Sequence, residues 1–150
     1  MASPVRILFY AINGSGLGHL SRLLAIARSL RDLSSALGTS CDIRFVTTSE
    51  GSGAVWDFPV YKVPSNTVAV SCGLAQNEFV ASCRLLVINL IASLRPDMLV
   101  TDTVPQGAFG EMSLLAGHVK SMVYIDRHKD SSHSNSPVHL NHLSLYDQVL

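Results

Sequence analysis

The stretch "VRILFYAINGSGLGHLSRLLAIARSL", residues 5–30, decides the fold because it joins an apolar run, a glycine-rich turn and an amphipathic segment. Residues 5–12 are almost all apolar, which is typical of a strand buried on both faces of a sheet. After the glycines, apolar residues recur at helical spacing and predict a helix that Gly38 ends. The positions of that apolar face are Leu20, Leu23, Leu24, Ala27 and Leu30.

The rest of the chain repeats this alternation of strand and helix. Further strands are predicted at residues 41–48, 97–102 and 120–126, and helices at residues 76–94, before Pro96, and at 107–117. Residues 56–73 combine a short strand with a loop, residues 127–142 are typical of a polar surface loop, and "LYDQVL" begins a new strand. Alternating strands and helices predict an α/β fold with a doubly wound parallel sheet, Rossmann-like.

Composition limits the classes of function. A chain of 150 residues is long enough for one domain, so residues 1–150 are predicted to form a single one. Eleven basic residues balance eleven acidic ones, so no net field attracts nucleic acid. The three cysteines match no metal or redox spacing, which indicates free thiols and a cytoplasmic location. The apolar runs are too short to predict a signal peptide or a transmembrane segment.

The glycine turn is placed to hold an anion. In an open parallel sheet, ligands bind beyond the carboxyl ends of the strands, and the free N–H groups of a following helix favour negative charge. Gly14, Gly16 and Gly18 form G-x-G-x-G, with His19 where the dinucleotide fingerprint requires a glycine. The second strand ends in threonines and no G-K-[ST] follows the turn. These departures argue against a nicotinamide or Walker site, and no cofactor or metal is predicted.

His19 and its neighbours each have two interpretations. His19 either bonds nearby backbone or acts as a general base, because a neutral imidazole at a helix N-terminus accepts a proton. Arg22 either lies in solvent or binds an acceptor phosphate. Asp102 either caps the turn after its strand or takes part in the site. Glu111 either complements the dipole of the following helix or belongs to a family pattern.

The residues "ILFYAINGSGLGHLSR" resemble the opening strand, glycine loop and helix of the GT-B glycosyltransferases, and in particular of predicted ones related to the peptidoglycan N-acetylglucosaminyltransferase. The most specific part is "G-x-G-H-x-x-R", which runs from Gly16 to Arg22. Further similarity lies in "RPDMLVTDTVPQGAFGE", residues 95–111, and in "YIDRHKD", residues 124–130. The resemblance is weakest over residues 52–74.

This resemblance implies a function for one half of a two-domain enzyme. The chain resembles the acceptor-binding N-terminal domain, so residues 1–150 are expected to be an incomplete protein whose C-terminal donor domain is absent. The expected partners are a phosphate- or lipid-linked sugar acceptor and, through the missing domain, a nucleotide-sugar donor. The expected activity is hexosyl transfer, with the chain inactive alone. The alternative is a non-catalytic Rossmann-like module that binds a phosphorylated ligand or a partner protein.

The resemblance also implies a set of site residues. His19 is the candidate catalytic base. The candidate substrate-binding residues, which line the cleft or contact the acceptor, are Asn13, Gly14, Ser15, Gly16, Gly18, Arg22 and Asp102.

Overall fold

The computed structural model describes residues 3–12, 17–126 and 136–150, and within them six parallel strands form one sheet. The strands are β1 (Val5–Ala11), β2 (Cys41–Thr47), β3 (Val60–Lys62), β4 (Met98–Asp102), β5 (Ser121–Ile125) and β6 (Gln148–Val149). The α-helices are α1 (Gly18–Ala36), α2 (Asn66–Ser71), α3 (Gln76–Leu94), α4 (Met112–Leu115) and α5 (Pro137–Leu143), and a 3-10 turn covers Ser52–Ala54.

The order of the strands is β3-β2-β1-β4-β5-β6. Strand β1 therefore pairs with β2 on one side and with β4 on the other, and the chain changes direction across the sheet between β1 and β4. Such a reversal opens a crevice beyond the carboxyl ends of the two central strands, where ligands bind in doubly wound folds. The predicted fold class, a doubly wound parallel α/β sheet, is confirmed.

The two faces of the sheet are covered by different helices. Alternate residues of β1 point to opposite sides, as the pleat requires. Phe9 packs with Leu20 and Leu23 of α1 on one face. Leu8 and Tyr10 pack against α3 and the other helices on the opposite face. Both faces of β1 are buried, which explains why its sequence is nearly continuous apolar residues.

Helix α1 runs along the sheet from the end of the glycine turn. It begins at Gly18, and Gly38 after its C-terminus has φ +67°, a conformation that glycine adopts without a Cβ penalty. The predicted end of this helix at Gly38 is confirmed. The apolar stripe predicted for α1 packs onto the sheet, and Leu20, Leu23 and Ala27 are almost completely buried.

Other predictions needed correction. The segment 127–142 contains helix α5, because Ser136 accepts a hydrogen bond from the His139 N–H and Pro137 suits the first helical position. Residues 127–135 of that predicted loop lie outside the described residues. Helix α4 is shorter than predicted, since Gly107 and Gly110 adopt positive φ before it begins.

Two segments whose sequence patterns were weak, residues 56–73 and the last residues of the chain, also have defined secondary structure. Residues 56–73 hold the predicted short strand β3, but part of the predicted loop is helix α2, which Ser65 caps by accepting from the Val68 N–H. The strand predicted to begin within the final residues is confirmed, because β6 pairs in parallel with β5.

Helix α3 combines a buried stripe with an apolar outer surface. Phe79, Cys83, Val87 and Ile91 pack into the core, whereas Leu85 remains 61% exposed. By length and composition alone, this 19-residue helix is long and apolar enough to cross a membrane, and 22% of that span is buried in the structure. The absence of a transmembrane segment therefore stays a prediction.

Candidate functional site

The first turn of α1 and the end of β4 meet at the crevice between β1 and β4. His19 and Arg22 are three residues apart on α1, so their side chains lie on neighbouring positions of one helix face. Asp102 is the last residue of β4, and Thr103 follows it. The fold therefore brings His19 and Arg22 close to Asp102 and Thr103, although the two pairs are about eighty positions apart in the chain.

Arg22 and Asp102 form a bidentate ion pair. The Arg22 Nε donates to Asp102 Oδ2 at 2.9 Å, and Nη2 donates to Oδ1 at 2.9 Å. The Asp102 side chain is completely buried, whereas that of Arg22 is 35% exposed. Parallel N–H···O bonds of this kind fix the direction of both groups, so the pair anchors α1 to the end of β4.

His19 is the third member of this cluster. Its Nδ1 lies 2.9 Å from the Thr103 Oγ1, 3.2 Å from the Arg22 Nη2 and 3.5 Å from the Asp102 Oδ2. Its side chain is 21% exposed, so the ring is held from one side while still reaching solvent. Within the described part of the chain, these partners of His19 are side chains and not backbone groups.

Thr103 holds an unusual backbone conformation. Its φ is +71°, which is uncommon for any residue other than glycine and costly for a β-branched one. Strained residues of this kind persist where the surroundings fix them, and they concentrate at functional sites. Here the conformation places the Thr103 hydroxyl between the Asp102 Oδ1, to which it donates, and the His19 ring.

A second buried cluster holds the loop between β4 and α4. The Glu111 carboxylate is fully buried and accepts from the Tyr10 hydroxyl at 2.6 Å and from the backbone N–H groups of Ala108 and Phe109. Burial, together with the neighbouring Glu111, raises the pKa of Tyr10 well above its ordinary value. Neither interpretation of Glu111 from sequence included this role, in which a buried carboxylate fixes the loop by accepting hydrogen bonds from it. We call this arrangement the Glu111 brace.

Gly107 makes the Glu111 brace possible. Its φ is +87°, and an added Cβ would lie 2.6 Å from the Glu111 carboxyl group. The glycine therefore meets two requirements at once, a left-handed backbone and a close approach. The "GAFGE" sequence carried a signal for this packing, but no spacing rule indicates that a glutamate will fold back onto the loop before it.

A cleft of about 370 Å³ opens beside the cluster, between the loop after β4 and α5. It is lined by Thr103, Val104, Pro105, Gln106, Ser136, Val138, His139 and His142. One lining residue, Pro105, accepts at its carbonyl from the Tyr146 hydroxyl at 2.8 Å, and that hydroxyl accepts from Thr101 at 3.0 Å. Burial raises the pKa of Tyr146 to about 12, so this phenol stays protonated at neutral pH.

The end of β2 forms the other side of the crevice. Glu50, the first acid after this strand, accepts from Ser65 Oγ at 2.6 Å and from Lys62 Nζ at 3.2 Å. These two bonds lower the pKa of Glu50 below its ordinary value. Its carboxylate is therefore bonded to a residue of β3 and to the N-cap of α2. An acid that binds a ribose would instead keep its oxygens available to the ribose hydroxyls.

The structure brings some of the candidate site residues together and does not describe others. His19, Arg22 and Asp102 lie in one cluster. Gly18 begins α1, and space for a Cβ is open there. Asn13, Gly14, Ser15 and Gly16 lie outside the described residues. Arg22 is bound to Asp102 and does not lie free in solvent, and its contact with an acceptor phosphate stays a prediction. Thr103 was missed, since a threonine in a loop gives no signal without its backbone conformation.

Comparison with sequences gives no relative for this chain. No protein-family model matches it, and no curated protein matches it in sequence. The similarity lies in three-dimensional structure, where several solved chains superpose over nearly its whole length.

The chain has a Rossmann-like α/β fold that matches one half of the GT-B glycosyltransferases, as its sequence resemblance predicts. Among the similar structures, MurG of Acinetobacter baumannii has a TM-score of 0.68 at 12% identity, over 97% of this chain and 41% of that one. UDP-GlcNAc 2-epimerase of Methanocaldococcus jannaschii has a TM-score of 0.60 at 10% identity, over 97% and 39%. CalG4, the calicheamicin glycosyltransferase, has a TM-score of 0.55 at 17% identity, over 95% and 36%.

These similarities show the fold and its extent. The chain spans about two fifths of the length of each of the three structures. By their names, CalG4 is a glycosyltransferase and the Methanocaldococcus jannaschii protein is an epimerase of UDP-GlcNAc, a nucleotide sugar.

Proposed function

We propose that this chain is the acceptor-binding, N-terminal half of a GT-B glycosyltransferase, which transfers a sugar from a nucleotide sugar once a donor domain completes the cleft. The fold supports this proposal, because the matching region is a part of each similar glycosyltransferase structure. In this proposal residues 1–150 form one cytoplasmic domain that is inactive by itself.

The observation that carries the proposal is the position of His19. It stands at the crevice between β1 and β4, partly exposed, and it is held by Thr103, Arg22 and Asp102. A general base needs this combination of a fixed orientation and access to the substrate. An isolated surface histidine would have no such set of side-chain partners.

The proposed reaction follows from that geometry. His19 takes the proton of an acceptor hydroxyl as its oxygen attacks the anomeric carbon of the donor sugar. The bond from that carbon to the nucleotide breaks, and its electron pair leaves with the nucleoside diphosphate. The carboxylate of Asp102, 3.5 Å from His19 Nδ1, offsets the charge of the Arg22 guanidinium, 3.2 Å from the same nitrogen, as the ring becomes positive.

The other proposed residues bind the acceptor. We assign Asn13, Gly14, Ser15, Gly16 and Gly18 to the turn that holds it, because backbone N–H groups before a long helix favour an anion. A guanidinium has five N–H donors, and Asp102 engages the Nε and Nη2 of Arg22. The Nη1 group of this partly exposed side chain is the part of Arg22 that would meet an acceptor phosphate.

The test uses the complete protein that contains this chain, or the chain together with a separate donor-domain protein. Release of nucleoside diphosphate from a panel of nucleotide sugars is measured with and without phosphate- and lipid-linked acceptors. Acceptor-dependent release, lost in His19→Ala, supports the proposal. Acceptor-independent interconversion of the sugar identifies an epimerase, and binding without turnover identifies a non-catalytic module; either result overturns the proposal.

A further inference from the structure

The backbone of the loop between β4 and α4 is held from several directions. The Pro105 carbonyl accepts from the Tyr146 hydroxyl at 2.8 Å. The Gln106 carbonyl accepts from the Met112 N–H at 3.2 Å, and the Glu111 brace holds the residues that follow. The position of this loop is therefore fixed by contacts within the chain.

Gln106 is an exposed residue between two buried ones in this loop. Pro105 and Gly107 are buried on either side of it. The described hydrogen bonds of Gln106 are made by its backbone, and the residue lines the cleft of about 370 Å³ beside α5. The fixed loop therefore presents a carboxamide that is available to a ligand in the cleft.

The same cleft leads to the proposed base. Thr103 also lines it, and the Thr103 Oγ1 lies 2.9 Å from the His19 Nδ1. Gln106 and Thr103 are three residues apart in one fixed loop. A ligand bound at the Gln106 amide is therefore placed to extend toward His19.

The carboxamide of Gln106 determines which chemical groups match it. It is uncharged, it donates two hydrogen bonds through its NH₂ group, and it accepts through its carbonyl oxygen. A sugar hydroxyl or an acetamido group also donates and accepts, so it matches both halves of the amide. An ionised phosphate only accepts, and its strong hydrogen bonds are made with charged donors such as arginine. Gln106 is therefore suited to an uncharged part of the acceptor.

We propose that Gln106 is a specificity-determining residue, which binds a hydroxyl or acetamido group of the acceptor sugar in the cleft between this loop and α5. The inference rests on the proposed function in one respect, that the sugar in the cleft is the acceptor of the transfer. Because the loop backbone is already held, binding orders little more than the Gln106 side chain, which keeps the entropic cost of the contact small.

The first test needs no catalysis. ¹H–¹⁵N spectra of the ¹⁵N-labelled chain are recorded with increasing concentrations of the methyl glycosides of glucose and N-acetylglucosamine, and separately with inorganic phosphate. Gln106→Ala identifies the side-chain NH₂ signals of Gln106. The expected result is a saturable shift of these signals with at least one glycoside and no such shift with phosphate. The absence of a shift with both glycosides, or a larger shift with phosphate, overturns the proposal.

The second test measures the acceptor KM of the complete enzyme. Gln106→Ala should raise it by about fivefold, the effect of one neutral hydrogen bond, with kcat nearly unchanged, because the contact is present in the ground state and the transition state alike. Gln106→Lys should not lower it, whereas a phosphate at this position would bind the lysine more tightly. An unchanged KM in Gln106→Ala, or a lower one in Gln106→Lys, overturns the proposal.

A matched control comes from another exposed amide. Asn89 is exposed on α3 and is not among the described lining residues of the cleft, so Asn89→Ala should leave the acceptor KM unchanged. Thermal unfolding of each variant confirms that it folds. If a variant of Gln106 does not fold, the spectra of the unsubstituted chain still decide the proposal.

Failure of this proposal and failure of the proposed function are distinguishable. If the Gln106 signals respond to a glycoside while the complete protein transfers no sugar, the sugar-binding site stands and the proposed function is wrong. If transfer occurs and is lost in His19→Ala, but Gln106→Ala leaves the acceptor KM unchanged, the proposed function stands and Gln106 does not bind the acceptor.

Discussion

The two ends of strand β4 carry the same kind of ion pair in opposite surroundings. Before the strand begins, Asp97 binds Arg6 and Lys120, with the nearest contact from Lys120 Nζ at 2.7 Å. At the carboxyl end, Asp102 binds Arg22. At the amino end the side chain of Asp97 is 21% exposed and that of Lys120 is 77% exposed, whereas the Asp102 side chain is completely buried.

This difference in burial distinguishes a surface ion pair from an ion pair that belongs to a buried site. Exposed ion pairs contribute little to stability, because water and salt screen them. A buried carboxylate must have its partners, because an unpaired charge in the interior is costly. Positive φ occurs near both ends, at Arg95 and at Thr103, but the carboxyl end also has a partly exposed histidine, His19, within 3.5 Å of its buried carboxylate. We therefore expect function at one end of the strand only.

The largest expected effect is on activity at the carboxyl end. In the complete enzyme, His19→Ala should lower kcat by about a hundredfold or more, the usual effect of losing a general base. Lys120→Ala, at the amino end, is the control and should leave kcat unchanged. Steady-state kinetics of both variants, with thermal unfolding to confirm that they fold, make the measurement. Equal activity of the two variants would remove the functional distinction between the ends.

The next effect concerns the loop that follows β4. Gly107→Ala should lower the free energy of unfolding by about 3 kcal/mol, because it adds backbone strain and a contact with the buried Glu111 carboxyl group. Gly38→Ala is the matched control. Its φ is +67°, but no atom lies within 4 Å of the added Cβ, so strain alone should cost about 1 kcal/mol. Urea denaturation of both variants tests the difference, and equal losses would show that the close packing contributes nothing.

A smaller loss of stability is expected from the buried ion pair. Asp102→Asn replaces an acceptor with an amide whose N–H groups face Arg22, so the free energy of unfolding should fall by about 2 kcal/mol. The loss is limited because Arg22 is partly exposed and recovers some hydration. Urea denaturation at low salt and at about 1 M salt should give nearly the same loss, since a buried pair is poorly screened. A loss that disappears in salt would contradict the burial argument.

The smallest effect is predicted for the same substitution at the amino end. Asp97→Asn should shift the urea midpoint much less than Asp102→Asn, and about 1 M salt should remove the shift. The bonds from Lys120 and Arg6 hold the pKa of Asp97 well below its ordinary value. The pair therefore stabilises the folded chain at neutral pH and loses this effect as the pH falls below about 4. Midpoints measured across that range should fall more steeply for the unsubstituted chain than for Asp97→Asn.

The sequence predicts the central part of the fold well, because hydrophobic periodicity is a local property. The apolar run of β1 and the stripe of α1 are buried as their patterns indicate. Helix α5 was missed because its polar, histidine-rich surroundings are typical of a loop. The helix start, with Ser136 as N-cap and Pro137 at the first position, was not recognised. Helix α4 was overestimated, because the positive φ of Gly107 and Gly110 depends on the packing of Glu111 and not on local preference.

The sequence by itself determined the class of fold and three members of the cluster, because the periods of strands and helices, and a family resemblance, can be read along the chain. Only the tertiary structure decided what those residues do to one another. Arg22 binds Asp102 instead of lying free, Glu111 braces a loop, and Thr103 connects Asp102 to His19. These contacts join residues that are far apart in sequence, and their energies depend on burial and on direction, which no local pattern encodes.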